Sequence, residues 1–227
     1  MDLFLPYTPI LLEGLWVTLL IYVCSAALMV VFAILAGVVR YDGPAWLRWP
    51  MGALVEFMRG TSCFVQLFWC FYALPLLGLT LTPFVTSVIV LGLNVGAFGS
   101  EVVRGALEAV PRGQKETARA LNYSPSRAFM HILMPQALRI AMRPGANLLV
   151  DLLKLTPLTS LVTVSDLTRN AMIMRSQTGS TLVTLLVIFV IYFALASAIY
   201  AVMDRLEARL YRRNKASSAP AGLKVTG

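Results

Sequence analysis

Five stretches of the chain, residues 13–39, 51–76, 83–104, 139–162 and 180–203, are apolar enough and long enough to cross a bilayer. The first is the plainest: "LWVTLLIYVCSAALMVVFAILAGVV", residues 15–39, contains no charge. As a helix it rises roughly 37 Å, more than the ~30 Å of a hydrocarbon core. In lipid every backbone polar group must be satisfied internally, so spans of this length predict a helical bundle. The expected fold is an all-α membrane protein with about five transmembrane helices.

One stretch breaks the oily pattern. Residues 114–136, "QKETARALNYSPSRAFMHILMPQ", are polar and basic but not slack. Pro111 suits the first turn of a helix, and "RGQKETARAL" is rich in helix formers. Asn122 tolerates the left-handed conformation that closes a helix. Ser124-Pro125 then reads as an N-cap followed by proline at N1. A second helix runs to Pro135, which is expected to end or kink it. On that helix Ala128, Phe129, Ile132 and Leu133 share one face, with Ser126, Arg127, Met130 and His131 elsewhere. Two short helices meeting at a sharp corner could lie on headgroups or could plug a groove on another protein.

Composition fits the membrane reading: 58% of residues are hydrophobic, 13% are charged, and the mean hydropathy is +0.76. The net charge of +8 is a topology signal. Of the nineteen Lys and Arg residues, fifteen fall in residues 40–50, 104–143 and the tail from Arg205, against two (Arg169, Arg175) in the 163–179 loop. Arg59 and Lys154 lie within spans. The positive-inside rule then puts the N-terminus outside and the C-terminus and the basic corner in the cytoplasm. Nucleic acid is not an expected partner. The opening "MDLFLPYTPILLEG" lacks a positive n-region and reads as the lead into an uncleaved first span, with residues 1–12 periplasmic. Cys24, Cys63 and Cys70 sit in apolar segments without metal-ligand spacing, and His131 is the only histidine.

The basic corner resembles the cytoplasmic EAA loop of ABC-importer permeases, whose pattern is E-A-A, three residues, G, nine residues, I-x-L-P. Glu116-Thr117-Ala118, Asn122 and Ile132-Leu133-Met134-Pro135 keep both spacings, with Thr117, Asn122 and Met134 as mild departures. "MRGTSCFVQLF" (58–68), "GAFGSEVVRGALEAVPRGQKETARAL" (96–121), "PQALRIAMRP" (135–144) and "LLKLTPLTSLV" (152–162) resemble segments of the branch that imports polar amino acids. Leu155 stands where that branch has Asp. The resemblance implies a type I ABC importer transmembrane domain over 13–205, a coupling loop over 105–138, and a cytoplasmic tail, 206–227, largely disordered. It implies a multi-pass protein of the bacterial inner membrane. Its implied partners are two cytoplasmic ATPase subunits, a second permease subunit (homologous or identical) and a periplasmic solute-binding protein. No G-x-x-x-x-G-K-[ST] motif occurs, so ATP and Mg are expected on the ATPase subunits, with no cofactor and no enzyme activity in this chain. Ala118, Leu121 and Phe129 are the expected partner-facing contacts, with Glu116 and Asn122 shaping the loop.

Polar residues inside spans cost energy and mark candidate sites. Glu56/Arg59 and Glu101/Arg104 are i, i+3 pairs able to neutralise themselves locally. Asp151 and Lys154 precede Thr156-Pro157, where proline removes a backbone hydrogen bond. They could grip the two ends of a zwitterion or pair with each other. With Asn94 and Thr156 they form the expected substrate path. Gly92, Gly96 and Gly99 let a neighbouring helix approach. The implied cargo is a polar amino acid, or alternatively a compatible solute such as ectoine. A gradient-driven secondary transporter or channel protomer is the rival class. No catalytic carboxylate pair, His-containing triad or metal motif speaks for an enzyme.

Overall fold

The computed structural model describes residues 5–217. Among them there is no β-strand. After a 3₁₀ turn (Leu5–Tyr7), α1 (Thr8–Asp42) starts five residues before the expected span. Then come α2 (Ala45–Gly60), α3 (Cys63–Phe68) with a π-turn and a 3₁₀ turn to Leu77, and α4 (Pro83–Glu108). The corner is α5 (Arg112–Ala120) and α6 (Pro125–Ala128); α7 (Met134–Leu155), α8 (Leu167–Thr178) and α9 (Thr181–Ser217) complete the fold. α9 runs past residue 206, where the sequence predicts a disordered tail to begin; residues 218–227 lie outside the described part.

The centre of the bundle is α1 packed along α4. Every third or fourth residue of α1's inner face is buried, and most are small: Gly14, Thr18, Ser25, Ala33, Ala36, Gly37. Lipid tails are as apolar as leucine, so helices associate here by close packing rather than by escape from water. The glycines of α4 permit that approach. A Cβ on Gly92 would lie 2.9 Å from Leu28, one on Gly96 3.0 Å from Phe32, and one on Gly99 2.7 Å from Ala33. Gly37 returns the favour, its Cβ position lying 2.7 Å from Val103. The pairings ascend together along both chains, so α1 and α4 run parallel, as two spans separated by one other must.

The second span is not continuous, contrary to expectation. α2 and the 63–77 segment meet at 104° because Thr61 and Ser62 are extended. A break inside a bilayer frees carbonyls that need donors. Gln66 Nε2 donates to Met58 O at 2.9 Å, Asn94 Nδ2 donates to the same oxygen at 3.0 Å, and Asn94 also reaches Gln66 Oε1 at 3.1 Å. The Thr61 hydroxyl closes Phe57 O at 2.8 Å.

Two prolines show the same accounting. Pro135 does not end its helix: the π-turn Phe129–Leu133 absorbs it and the helix continues into α7. The Gln136 side chain donates to Ile132 O at 3.0 Å within that loosened turn. Pro157 does stop α7, which tightens to a 3₁₀ turn over Thr156–Val162. Leu153 O, which the proline cannot reach with an N–H, accepts instead from the Thr156 backbone N–H and from its hydroxyl at 2.8 Å.

Candidate functional site

The corner forms by the chemistry of its residues. Asn122 is left-handed (φ 55°), and Tyr123 N donates to Ala118 O at 3.0 Å, the long bond of a Schellman closure. Ser124 has N-cap backbone geometry with Pro125 following, although its hydroxyl makes no capping bond. The apolar face of the next helix turns inward, onto this chain's own helices. Phe129, Ile132 and Leu133 join Val103, Ala106, Leu107 and Val110 of the α4 end, with Ile34, Val38 and Tyr41 of α1 packed alongside. The elbow is therefore bolted to the ends of α1 and α4.

Of the expected partner-facing residues, Ala118 is fully buried within the chain and Phe129 is half-buried against the inner cluster. Leu121 is the exposed one, 64% accessible, with Glu116 and Asn122 also on the outside. Tyr123 and Met130, which the sequence pattern does not single out, are exposed beside it. A cleft of about 400 Å³ between Tyr41, Asp42, Tyr123, Pro125, Ala128, Phe129 and Leu133 separates the elbow from the end of α1.

Above the elbow, the two expected local pairs, Glu56/Arg59 and Glu101/Arg104, both form and converge with Arg40 on one carboxylate. Glu101 accepts from Arg40 at 2.7 Å, Arg59 at 3.0 Å and Arg104 at 2.9 Å. Arg104 also meets Glu108 at 2.7 Å, and Glu56 meets Arg59 at 3.4 Å. One carboxylate so joins α1, α2 and α4. The sequence puts Arg40 in a loop; only its place in the last turn of α1, one turn beyond Gly37, brings it here. The Arg59 guanidinium also lies 5.4 Å over the Phe98 ring.

The four residues of the expected path are not together. Asn94 is buried and committed to the α2–α3 break; Thr156 is buried at the end of α7. Asp151 and Lys154 pair with each other, Nζ to Oδ1 3.1 Å, with side chains 56% and 65% exposed on α7.

At the end away from the elbow a polar knot joins α1 to α8. The Thr18 hydroxyl donates to Gly14 O at 2.9 Å and accepts from Leu167 N at 3.0 Å, while Asn170 Nδ2 donates to Ile10 O at 2.8 Å. Asp166 caps α8, its Oδ1 accepting from Arg169 N at 2.9 Å, yet Oδ2 is buried without a partner. Desolvation by burial pushes its carboxyl up to about 6, against the lowering effect of the backbone N–H groups of Arg169 and Thr168.

Residues 14–213 match the family described as binding-protein-dependent transport system inner membrane component. Among curated proteins, a probable amino-acid ABC transporter permease protein, y4tG of Sinorhizobium fredii (strain NBRC 101917 / NGR234), is 37% identical over 86% of each chain. The L-cystine transport system permease protein TcyB of Bacillus subtilis (strain 168) is 32% identical over 91% of this chain and 88% of its own. Among solved structures, the crystal structure of an amino acid ABC transporter with histidines superposes with a TM-score of 0.83 at 26% identity, covering 90% of this chain and 96% of that one. An inward-facing MetNI methionine ABC transporter gives 0.78 at 21% identity, a likeness of fold.

Proposed function

The chain belongs to the binding-protein-dependent transport system inner membrane component family, and on that premise we propose that it is the path-forming subunit of an ATP-driven amino-acid importer, entered mechanically at the elbow. It is a multi-pass inner-membrane protein, and its family works with an ATPase and a binding protein. Membership in an ATP-driven family removes the ground for a gradient-driven transporter. The elbow end faces the cytoplasm, following the Lys and Arg excess.

The observation that carries this reading is the two-sided elbow. One face is buried in the cluster that holds the ends of α1 and α4; the other offers Leu121, Asn122 and Tyr123 outward. A partner that grips the outer face differently in two nucleotide states biases the bundle by that difference in contact energy. Displacement passes to α1 and α4 together, then through Glu101 to α2. From Met58 it reaches the α2–α3 break, held by Gln66 and Asn94.

The exposed Asp151–Lys154 pair supports the path. An ion pair left uncovered on a membrane helix does not face lipid cheaply, so this face of α7 meets water or a second permease subunit. There Asp151 offers a carboxylate to an α-ammonium and Lys154 an ammonium to an α-carboxylate, each exchanging its present partner for the zwitterion. Ectoine shares that chemistry, so uptake competition decides between the two cargos.

The test is co-purification with an ATPase subunit. Leu121→Asp is expected to leave membrane insertion and thermal stability intact, since exposed substitutions stay within about 0.5 kcal/mol. Recovery of the ATPase subunit should fall about tenfold, the effect of losing ~1.4 kcal/mol at an interface. Undiminished recovery would remove Leu121 from the interface; a wild-type chain that moves solute with no ATPase bound would remove the importer reading.

A further inference from the structure

A cationic cleft lies beside the elbow and shares Arg40 and Arg104 with the Glu101 junction. Arg40, Arg48, Trp49, Gly52, Ala53 and Arg104 line a cleft of about 500 Å³ where the ends of α1 and α4 meet the start of α2. No carboxylate lines it. Arg40 and Arg104 are held by Glu101, with Glu56 and Ser100 also on Arg40 and Glu108 also on Arg104, which fixes their guanidinium groups without covering all their donors. Arg48 has no ion-pair partner among the described residues and is exposed. Arg40, Arg48 and Arg104 are the charged residues that line the cleft, while Glu56, Glu101 and Glu108, which pair with arginines, lie outside its lining. The walls suit a lipid better than a soluble anion. Trp46 and Trp49 stand 75% and 81% exposed on α2, and Phe57 continues that open side. Indoles in this position mark the headgroup level of a bilayer. Gly52 and Ala53 keep the floor low; a Cβ on Gly52 would meet nothing within 4 Å.

We propose that this cleft binds the phosphodiester of an anionic phospholipid of the phosphatidylglycerol type, with Arg48 as its main charge partner and Trp49 against the glycerol and upper acyl chain. Basic pockets between membrane helices bind acidic headgroups, and the charged lining of this one is arginine alone. The leaflet is the one at the elbow end, cytoplasmic by the orientation given above. Occupancy ties the start of α2 to the ends of α1 and α4, the helices that Glu101 joins, and so stiffens the base through which the elbow acts.

Native mass spectrometry of the purified permease–ATPase complex tests this with neither transport nor ATP hydrolysis as readout. Phosphatidylglycerol adducts are expected to survive at about fivefold higher occupancy than phosphatidylcholine of the same chains, and Arg48→Gln should remove that preference. Arg48→Lys should keep most of it. Quenching of tryptophan fluorescence by brominated phosphatidylglycerol should fall in Trp49→Phe. Equal retention of both lipids by the wild type, or an unchanged preference in Arg48→Gln, overturns the proposal. Displacement of the adduct by millimolar inorganic phosphate also overturns it, in favour of a soluble-anion site. Loss of lipid selectivity with the ATPase still bound would leave the importer reading standing, and loss of the ATPase alone would leave the lipid site standing.

Discussion

Asp166 should make this protein less stable as pH rises through the mildly acidic range. Its carboxyl is fully buried, caps α8 through Oδ1 and leaves Oδ2 without a partner. Burial raises it from 3.8 to about 6, so the folded chain holds the proton more tightly than the unfolded chain. Stability from this proton is fully present below pH 3.8 and is lost as pH climbs past 6. Tighter proton binding of that size corresponds to about 3 kcal/mol in all, and about 2 kcal/mol of it is lost between roughly pH 4.5 and 7.5. Asparagine caps a helix as well as aspartate does but carries no charge. Asp166→Asn should therefore leave the cap and delete the pH dependence. The measurement is the melting temperature of the detergent-solubilised wild type and variant by intrinsic fluorescence across that same pH range. At ~2–4 °C per kcal/mol, the gap between the two curves should change by roughly 4–8 °C in the variant's favour as pH rises. A constant offset from the unpaired amide would not obscure that slope. Curves that stay parallel would refute the buried, ionisable Asp166.

The other predictions probe the base of the bundle. Glu101→Gln should cost about 3 kcal/mol, because it leaves the guanidinium groups of Arg40 and Arg59 facing each other without the negative charge they share. Adding Arg59→Met to that variant should restore part of the lost melting temperature, and no restoration would mean the two arginines do not repel. Phe129→Asp should lower the melting temperature as well as complex yield, by setting a carboxylate against the Leu107–Val110 cluster, whereas Leu121→Asp should lower yield alone. Identical thermal profiles for those two variants would contradict the inward placement of Phe129. Asp151→Asn should reduce uptake of a zwitterionic solute while leaving ATPase association unchanged; unaltered uptake would remove the pair from the path.

The number of spans, the presence of the elbow and its closure at Asn122 were all legible in the sequence, because each rests on local physics. An uncharged run long enough for a bilayer, a residue tolerant of positive φ, and a serine before proline act within a few residues of themselves. Gly92, Gly96 and Gly99 were also readable as a place for close approach, though not that α1 would fill it. What the sequence left undecided depends on which helices meet. Thr61 and Ser62 look innocent in an apolar run; the 104° bend survives because Gln66 and a distant Asn94 supply donors to Met58 O. Pro135 reads as a stop or a kink because local hydrogen bonding disfavours helix before it, and a π-turn lets the helix pass. Ala118 and Phe129 fit the inside or the outside equally well until the ends of α1 and α4 are placed under them. Arg104 meets Glu101 at i, i+3 as the sequence shows, but Arg40 and Arg59 come from two other helices, and electrostatic partners chosen across space have no period along the chain. Local propensity fixes the elements and their punctuation. Long-range packing decides where Asn94 reaches a carbonyl freed at the α2–α3 break and which distant charges share a carboxylate.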